Sequence, residues 1–346
     1  MPVIRSAALV AALLAATAAQ AQEKVVRIYN WSDYIDESIL ADFTAETGIQ
    51  VVYDVYDSNE TMLAKLQAGA AGYDVVVPSD YMLKIMIEEG MLEKIDVNQM
   101  PNFKNVTATF ADTPFDPGRV YSAPYLWGTT GFTYDSARVP GGQLEESWKS
   151  FFEPPAELAG QIAALNDEVE VYNAAAYYLG IDKCTEEAKE AQRILELLEA
   201  QKPKLAMYQS DGTIERMIAK EVILHQQWNG AAHRTKEGLP TAVYVYPKEG
   251  IGVFADTLVV PRGARNVENA KTFINWMMAP ENIAEASNFA GYMNAIEGSE
   301  KFLEPKLRND PAVNMPAEYA DRLRASEDCS APARELRNRV WTRLKT

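Results

Sequence analysis

Tyr29-Asn30-Trp31-Ser32-Asp33-Tyr34-Ile35 lies where a short apolar strand gives way to a helix, and the reading of this stretch decides the fold. Residues 25–29 are apolar enough for a strand, and Ile35, Ile39, Leu40 and Phe43 then recur at helical spacing. Ser32 is the expected N-cap of that helix, Asp36 and Glu37 suit its first turn, and Gly48 suits its stop. Two aromatic rings and a carboxylate thus meet at a strand-to-helix junction, where open α/β sheets keep their ligand crevices. Taken alone, the stretch is explained equally well by Ser32 and Asp33 capping a helix while Trp31 and Tyr34 pack. The pairing of ring and carboxylate at a strand end recurs along the chain, and that recurrence favours a site.

With 346 residues the chain is long enough for two domains with separate cores. Residues 1–21 read as an export signal: Arg5 is the positive start, 7–19 the apolar run, and Ala19-Gln20-Ala21 a small-x-small cleavage site. The apolar run is too short to span a bilayer and no later stretch qualifies, so an exported product starting near Gln22 is expected. No Cys follows the run to carry a lipid. The formal charge is −16, or −17 once Arg5 is removed. That argues against nucleic acid, whose phosphates need a basic surface, and is compatible with a cationic ligand. Cys184 and Cys329 are either one disulfide or two free thiols; sequence leaves both open. Thiol catalysis lacks a convincing histidine partner.

Further along, 50–56 reads as a second strand and 59–68 as a helix burying Met62, Leu63 and Leu66. Val75-Val76-Val77 is an apolar run of the kind buried on both faces of a parallel sheet, and it stops at Pro78-Ser79-Asp80-Tyr81 before a helix from about Met82. Asp80 reads as a helix cap, Tyr81 as a ring facing a cleft. Residues 101–120 are loop-like, and the chain first crosses to a second lobe near 130–135. There, 166–172 opens a helix over 173–179 that ends at Gly180, with Asp167 and Glu170 on one face of the first turn. An amphipathic helix follows over 185–201, then a turn at 208–212, a strand into Trp228-Asn229-Gly230 read as a tight turn, and strands over 243–246 and 252–260. Past Pro261 the pattern is helical, with a break at Pro280 and a turn at 291–294; the tail over 317–344 reads as charged and mostly helical.

Several chemistries lack their motifs. The chain has no G-x-G-x-x-G after a strand, no G-x-x-x-x-G-K and no G-x-S-x-G. His225 and His233 are its only histidines, too few for a zinc site, and both read as structural or solvated. Carboxylates are plentiful, yet none is singled out beside a nucleophile, which leaves an exported carboxylate-pair hydrolase as a distant alternative. No cofactor and no metal are expected.

Trp31, Asp33, Tyr34, Tyr81 and Glu170 fall at element ends, as do Trp228, Phe254, Asp256 and Tyr292. Flat rings with carboxylates at their ends suit a flexible alkyl chain bearing ammonium groups: rings cover methylenes and attract cations, and carboxylates accept charge-assisted hydrogen bonds. Because a buried acid without a cation is costly, such a site is expected to stay open and wet when unliganded.

At these residues the sequence resembles a known family. Asn30-Trp31-Ser32-Asp33-Tyr34, Val77-Pro78-Ser79, Trp228-Asn229-Gly230 and Phe254-Ala255-Asp256 before Pro261 look like the periplasmic spermidine- and putrescine-binding receptors of ABC importers. The likeness runs in one order from about residue 23 to the end. It implies an α/β, two-lobed periplasmic-binding-protein fold (type II, Venus-flytrap) with an interlobe ligand cleft. The lobes implied are 22–132 plus 256–295 and 133–255 plus 296–346. It also implies a periplasmic location, no enzymatic activity, a polyamine ligand, an inner-membrane ABC permease as partner, and a monomer.

Carried over by motif position, Trp31, Tyr34, Trp228, Phe254 and Tyr292 are implied as aromatic walls. Ser32, Asp33 and Tyr81 are implied at one end of the ligand, Asp256 at one amine, and Glu170 with Asp167 at another. Asp211 matches a polar contact position in a less distinctive loop. Putrescine-type receptors carry an acid three residues after the tryptophan matching Trp228; here that place is Ala231, which leans toward spermidine or a longer amine. The alternatives are a receptor for another small organic cation or for an unrelated solute. A carboxylate ligand needs a convergent Arg, and none lies at the quoted junctions.

Overall fold

Strand β1 (Val25–Trp31) buries Val25, Val26 and Ile28 and sits between two parallel neighbours, β2 (Gln50–Tyr56) and β3 (Val75–Val76). The computed structural model describes residues 23–69, 72–325 and 329–346, so the expected export signal lies outside the described residues. Helices Glu37–Thr47 and Asn59–Gln67 supply the crossovers that parallel pairing requires. The 14-residue β4 (Ser122–Asp135) is the long member of the sheet. After it, β5 (Ile162–Ala164), β6 (Leu205–Tyr208) and β7 (Leu224–Trp228) form a second parallel set. The remaining strands are β8 (Ala242–Val245), β9 (Ile251–Val259), β10 (Met293–Asn294) and β11 (Leu323–Arg324).

The main path of the sheet runs β2-β1-β3-β9-β4-β7-β5-β6. The two parallel sets are therefore joined only through the antiparallel β4 and β9 along that path. Residues Ser122 to Thr130 of β4 pair with β9, while Thr130 to Tyr134 pair with β7 and Phe132 to Asp135 with β8.

Buried apolar side chains divide on either side of this crossing. One group joins β1, β3 and the start of β4 to helix Val267–Met277 through residues such as Phe43, Leu126, Phe273 and Ile274. The other joins the end of β4 to helices Glu168–Leu179 and Ala188–Gln201 through Phe132, Trp148, Tyr172 and Leu198. Each fully buried Leu, Ile or Phe contributes about 1.5–3 kcal/mol, so either group is large enough to hold a lobe. Residues 299–313 bury Leu303, Leu307 and Val313 against Ala284 of helix Pro280–Ala290. Among the described residues, no helix is long and apolar enough to cross a membrane.

Several local expectations change. The first helix is capped by Asp36, whose side chain accepts the Ser38 N–H, and this frees Ser32 for other partners. The helix after β3 starts at Asp80, whose Oδ1 accepts the Tyr81 N–H at 2.8 Å. Asp167 caps a helix over Glu168–Leu179, longer than expected because the acids of 166–170 stabilise its N-terminus. Trp228-Asn229-Gly230 is the entry to helix Asn229–Gly238 and not a tight turn. The tail is less helical than its charge pattern suggests: a 3-10 turn at Ala317–Arg322 and β11 precede helix Ala331–Lys345, which starts with a proline in its first turn. Cys184 and Cys329 form a disulfide that ties this last helix to the loop before Ala188–Gln201.

Candidate ligand-binding cleft

The ends of β1, β3, β7 and β9 converge with the N-terminus of helix Glu168–Leu179 on one hollow, placed as small-molecule sites are, in a concave cleft lined mainly by apolar and aromatic side chains. Trp31, Tyr34, Trp228, Phe254 and Tyr292 all line it. Trp31 is fixed at the end of β1 by an Nε1–H bond to the Val77 carbonyl at 2.9 Å. Tyr292 packs with ring centroids 5.3 Å from Tyr34 and 5.8 Å from Phe254. Its place requires glycine at two neighbours. A Cβ on Gly230 would sit 2.5 Å from the Tyr292 ring, and one on Gly128 would sit 2.8 Å from the Phe254 ring and 2.4 Å from Asn229 Oδ1.

Asp256 lies among these rings and is only 4 % exposed. Tyr34 donates its hydroxyl to Oδ2 at 2.5 Å, and Ser79 donates to Oδ1 at 2.6 Å. Ser79 in turn accepts from Asn59 Nδ2 at 3.2 Å, which also donates to the Tyr81 hydroxyl at 3.0 Å. Burial pushes the Asp256 carboxyl up to about 7, against the two hydroxyl donors, which pull it down. Asp256 is thus buried within the cleft, and the desolvation cost shows as a preference for the proton.

Glu170 is the second cleft carboxylate. Thr130 of β4 and the Trp228 indole donate to its Oε1 at 2.9 and 3.2 Å. Burial lifts it, too, to about 7, with Asp80 and Glu60 adding like charge. Asp167 lines the same hollow, but its Oδ1 is engaged by the Glu170 N–H at 2.9 Å. Burial and the nearby Glu60 and Glu170 raise it well above the ordinary carboxylate range. Tyr81 faces the hollow and donates its hydroxyl to Glu60 at 3.1 Å.

Ser32, Asp33 and Asp211 meet in an adjoining hollow, with Ser32 shared between the two. Ser32 Oγ lies 2.9 Å from Asp211 Oδ1 and 3.2 Å from the Tyr56 carbonyl, so one proton serves two acceptors. Asp33 takes a left-handed conformation at φ 57°, and its carbonyl accepts Arg234 Nη1 at 3.2 Å. Asp33 and Asp211 are absent from the lining of the larger hollow, to which the other ten candidates contribute.

The histidines stand apart. His225 is fully buried, and burial drops it to about 3 between the Gln226 carbonyl and Arg216. His233 is buried against Asp310 at 2.7 Å. Both are structural and neither is solvated. Among the described residues no cluster of His, Cys, Asp and Glu could hold a metal ion.

Sequence reasoning missed Ser79 as an acid partner, and it missed Asn173, Tyr177, Lys183 and Arg324 as lining residues. Asn173 and Tyr177 had a signal, since they follow Glu170 by three and seven residues on one helix face. Lys183 and Arg324 had none, because only the fold brings them to the cleft. An Arg therefore does line the site.

Comparison with known proteins agrees with this architecture. A family model for bacterial extracellular solute-binding proteins matches residues 38–317. A putrescine-binding periplasmic protein of Pseudomonas aeruginosa is 34 % identical, covering 96 % of this chain and 95 % of its own. A spermidine/putrescine-binding periplasmic protein of Escherichia coli is 36 % identical, over 84 % and 83 % respectively. Among solved structures, a spermidine/putrescine ABC transporter substrate-binding protein of Streptococcus pneumoniae superposes with a TM-score of 0.75 at 29 % identity, covering 93 % of this chain and 98 % of that one. A lipoprotein of Treponema pallidum superposes at 0.80 with 29 % identity, over 92 % and 99 %. The two lobes and interlobe cleft are those of a periplasmic solute-binding fold, and this chain belongs to the bacterial extracellular solute-binding protein family.

Proposed function

We propose that this chain is a periplasmic receptor that captures a polyamine between its lobes and delivers it to the permease of an inner-membrane ABC importer. It acts as a monomer, without catalysis, after cleavage near Ala21. The observation that carries this reading is Asp256: a buried carboxylate held by two hydroxyls and walled by aromatic rings, to which no cation among the described residues is bonded. A buried charge calls for a partner, and an ammonium on an apolar stem supplies both the charge and the surface. In this reading Trp31, Tyr34, Trp228, Phe254 and Tyr292 cover the methylenes. Asp256 holds one ammonium, Glu170 with Asp167 another, and Tyr81 supports that end. Ser32, Asp33 and Asp211 close the mouth. The hinge runs through β4 near 130–135 and β9 near 252–256.

Relatives named for putrescine and spermidine support the ligand class, and so do the net charge of −16 and the ring-and-acid cleft. Thermal melts with putrescine, spermidine, arginine and an uncharged diol test it. A polyamine present at 100 times its Kd adds about 2.7 kcal/mol of stability. The reading predicts a raised Tm with a polyamine and none with the diol; no rise with either polyamine at millimolar concentration removes it.

A further inference from the structure

We propose that the end of the cleft beyond Glu170 receives a secondary amide, so that its ligands include polyamines acylated on a terminal nitrogen. The inference rests on the polyamine reading above. It is carried by an unused acceptor and unused donors at one end of the hollow, which neither an ammonium nor a carboxylate satisfies together.

Strand β9 gives the order of groups along the hollow. Asp256 lies towards the far end of the strand, and a Cβ on Gly252 would stand 3.8 Å from Glu170 Oε2. A Cβ on Gly250, just before the strand, would stand 3.1 Å from the Tyr177 ring and 3.1 Å from the Arg324 stem. Two residues of extended chain cover about 7 Å, so Tyr177 and Arg324 begin one short step past the Glu170 carboxylate. Asn173 and Tyr177 follow Glu170 on the same face of helix Glu168–Leu179, and both line the hollow.

Asn173 Oδ1 is buried there and accepts no hydrogen bond among the described residues. An orphaned buried acceptor is costly and calls for an N–H. Arg324 donates through Nη1 to the carbonyls of Asp321 at 2.8 Å and Leu323 at 3.0 Å, and through Nη2 to that of Glu249 at 3.3 Å. Its Nε–H and its second Nη2–H have no acceptor among the described residues. The Glu249 carboxylate is engaged instead by the Ser147 hydroxyl and the Trp148 N–H. Lys183 lines the same end and donates to the Ala325 carbonyl.

An ammonium placed here satisfies Asn173 but meets the charge of Arg324 and Lys183. A carboxylate satisfies Arg324 but leaves Asn173 Oδ1 facing another acceptor, with Glu170 one turn away. A secondary amide satisfies both: its N–H donates to Asn173 and its carbonyl accepts from Arg324. The Tyr177 ring offers the acyl carbon an apolar face. Other acids do not change the balance at this end. Asp80 and Glu60, whose charges are felt at Glu170, do not line the hollow. Asp33, Asp57 and Asp211 line the adjoining one, which includes none of Asn173, Tyr177 and Arg324.

Titration calorimetry of the chain with spermidine and with each of its terminally monoacetylated forms tests the proposal, on the wild type, Arg324→Gln and Asn173→Leu. One monoacetylated form is expected to bind the wild type about fivefold or more tighter than spermidine. Each substitution is expected to erase that preference, Arg324→Gln by admitting an ammonium and Asn173→Leu by removing the acceptor for the amide N–H. Asn173→Leu carries the test if Arg324→Gln does not fold. Spermidine binding the wild type as tightly as both acetylated forms, or a preference that survives in a folded variant, overturns the proposal and leaves the polyamine reading intact. Heat from none of these amines removes that reading, and the proposal with it.

Discussion

Ser32 Oγ and Asp211 Oδ1 lie 2.9 Å apart although 179 positions separate them, one at the end of β1 and the other in the loop after β6. The bond spans the two lobes, and the Arg234 donation to the Asp33 carbonyl lies beside it. Together they make the mouth of the cleft a contact between lobes and not a gap. Removing the first with Ser32→Ala should cost about 0.5–1.5 kcal/mol of closure and so weaken ligand binding by a few-fold to about tenfold. Small-angle scattering should show a larger fraction of open molecules in the variant; identical scattering and affinity would contradict a closing role.

Asp256→Asn keeps the shape and removes the charge. A hydrogen bond to a charged group contributes about 1.5–3 kcal/mol, so affinity for an amine should fall roughly 10- to 150-fold. Tyr34→Phe leaves the carboxylate but deletes its 2.5 Å donor, and a smaller loss is expected. Titration of both variants checks the order; an Asp256→Asn chain that binds as well as the wild type assigns the ammonium elsewhere.

Burial sets a pH dependence. Asp256 and Glu170, both raised to about 7, bind protons in the folded chain that the unfolded chain has released. Their contribution to stability is therefore fully present below about pH 4 and is lost as pH rises to about 7. Binding runs the other way, because an ammonium needs the carboxylates ionised. Amine affinity should rise from pH 5 to about 7 and flatten above, with protons released on binding near pH 6. Titrations in buffers of different ionisation enthalpy measure that release directly; a heat independent of buffer would show the acids already ionised.

Gly230→Ala places a methyl group 2.5 Å from the Tyr292 ring. The ring must shift from its place against Tyr34 and Phe254, and overpacking of this kind costs about 1–3 kcal/mol. Lower Tm and weaker ligand binding are expected together, whereas the same change at exposed Gly160, which has nothing within 4 Å but sits at φ +78°, should lower Tm alone.

Reduction of Cys184–Cys329, which closes a loop spanning 145 positions, should destabilise the chain by about 2–5 kcal/mol. Helix Ala331–Lys345 carries Arg337 to Glu168, so loosening its start should also disturb the acid end of the cleft. Melting with and without reductant, with and without amine, separates the two effects.

Much of this was legible in the sequence because it is local. The Tyr29 to Ile35 stretch places rings and an acid at a strand end by periodicity alone, while the aromatic-wall roles are what the family resemblance implies. Asp256 was legible as an acid beside a ring, but not its clasp: Ser79 and Tyr34 reach it from separate strand ends that only the sheet order brings together. The cap of the first helix was misread because Ser32 and Asp36 suit the role equally by type; geometry gives it to Asp36. Trp228-Asn229-Gly230 resembles a turn, yet Gly230 is there to admit Tyr292 and the helix continues through it. Arg324 and Arg337 were beyond reach, since they come from a tail whose path depends on the disulfide and on long-range packing.

The most direct test is titration calorimetry of the chain with a polyamine and with the diol of the same carbon skeleton. Gripping of ammonium ends by Asp256 and Glu170 between ring faces predicts saturable one-to-one heat from the amine and none from the diol. Equal heats from both, or none from any polyamine at millimolar concentration, would contradict it.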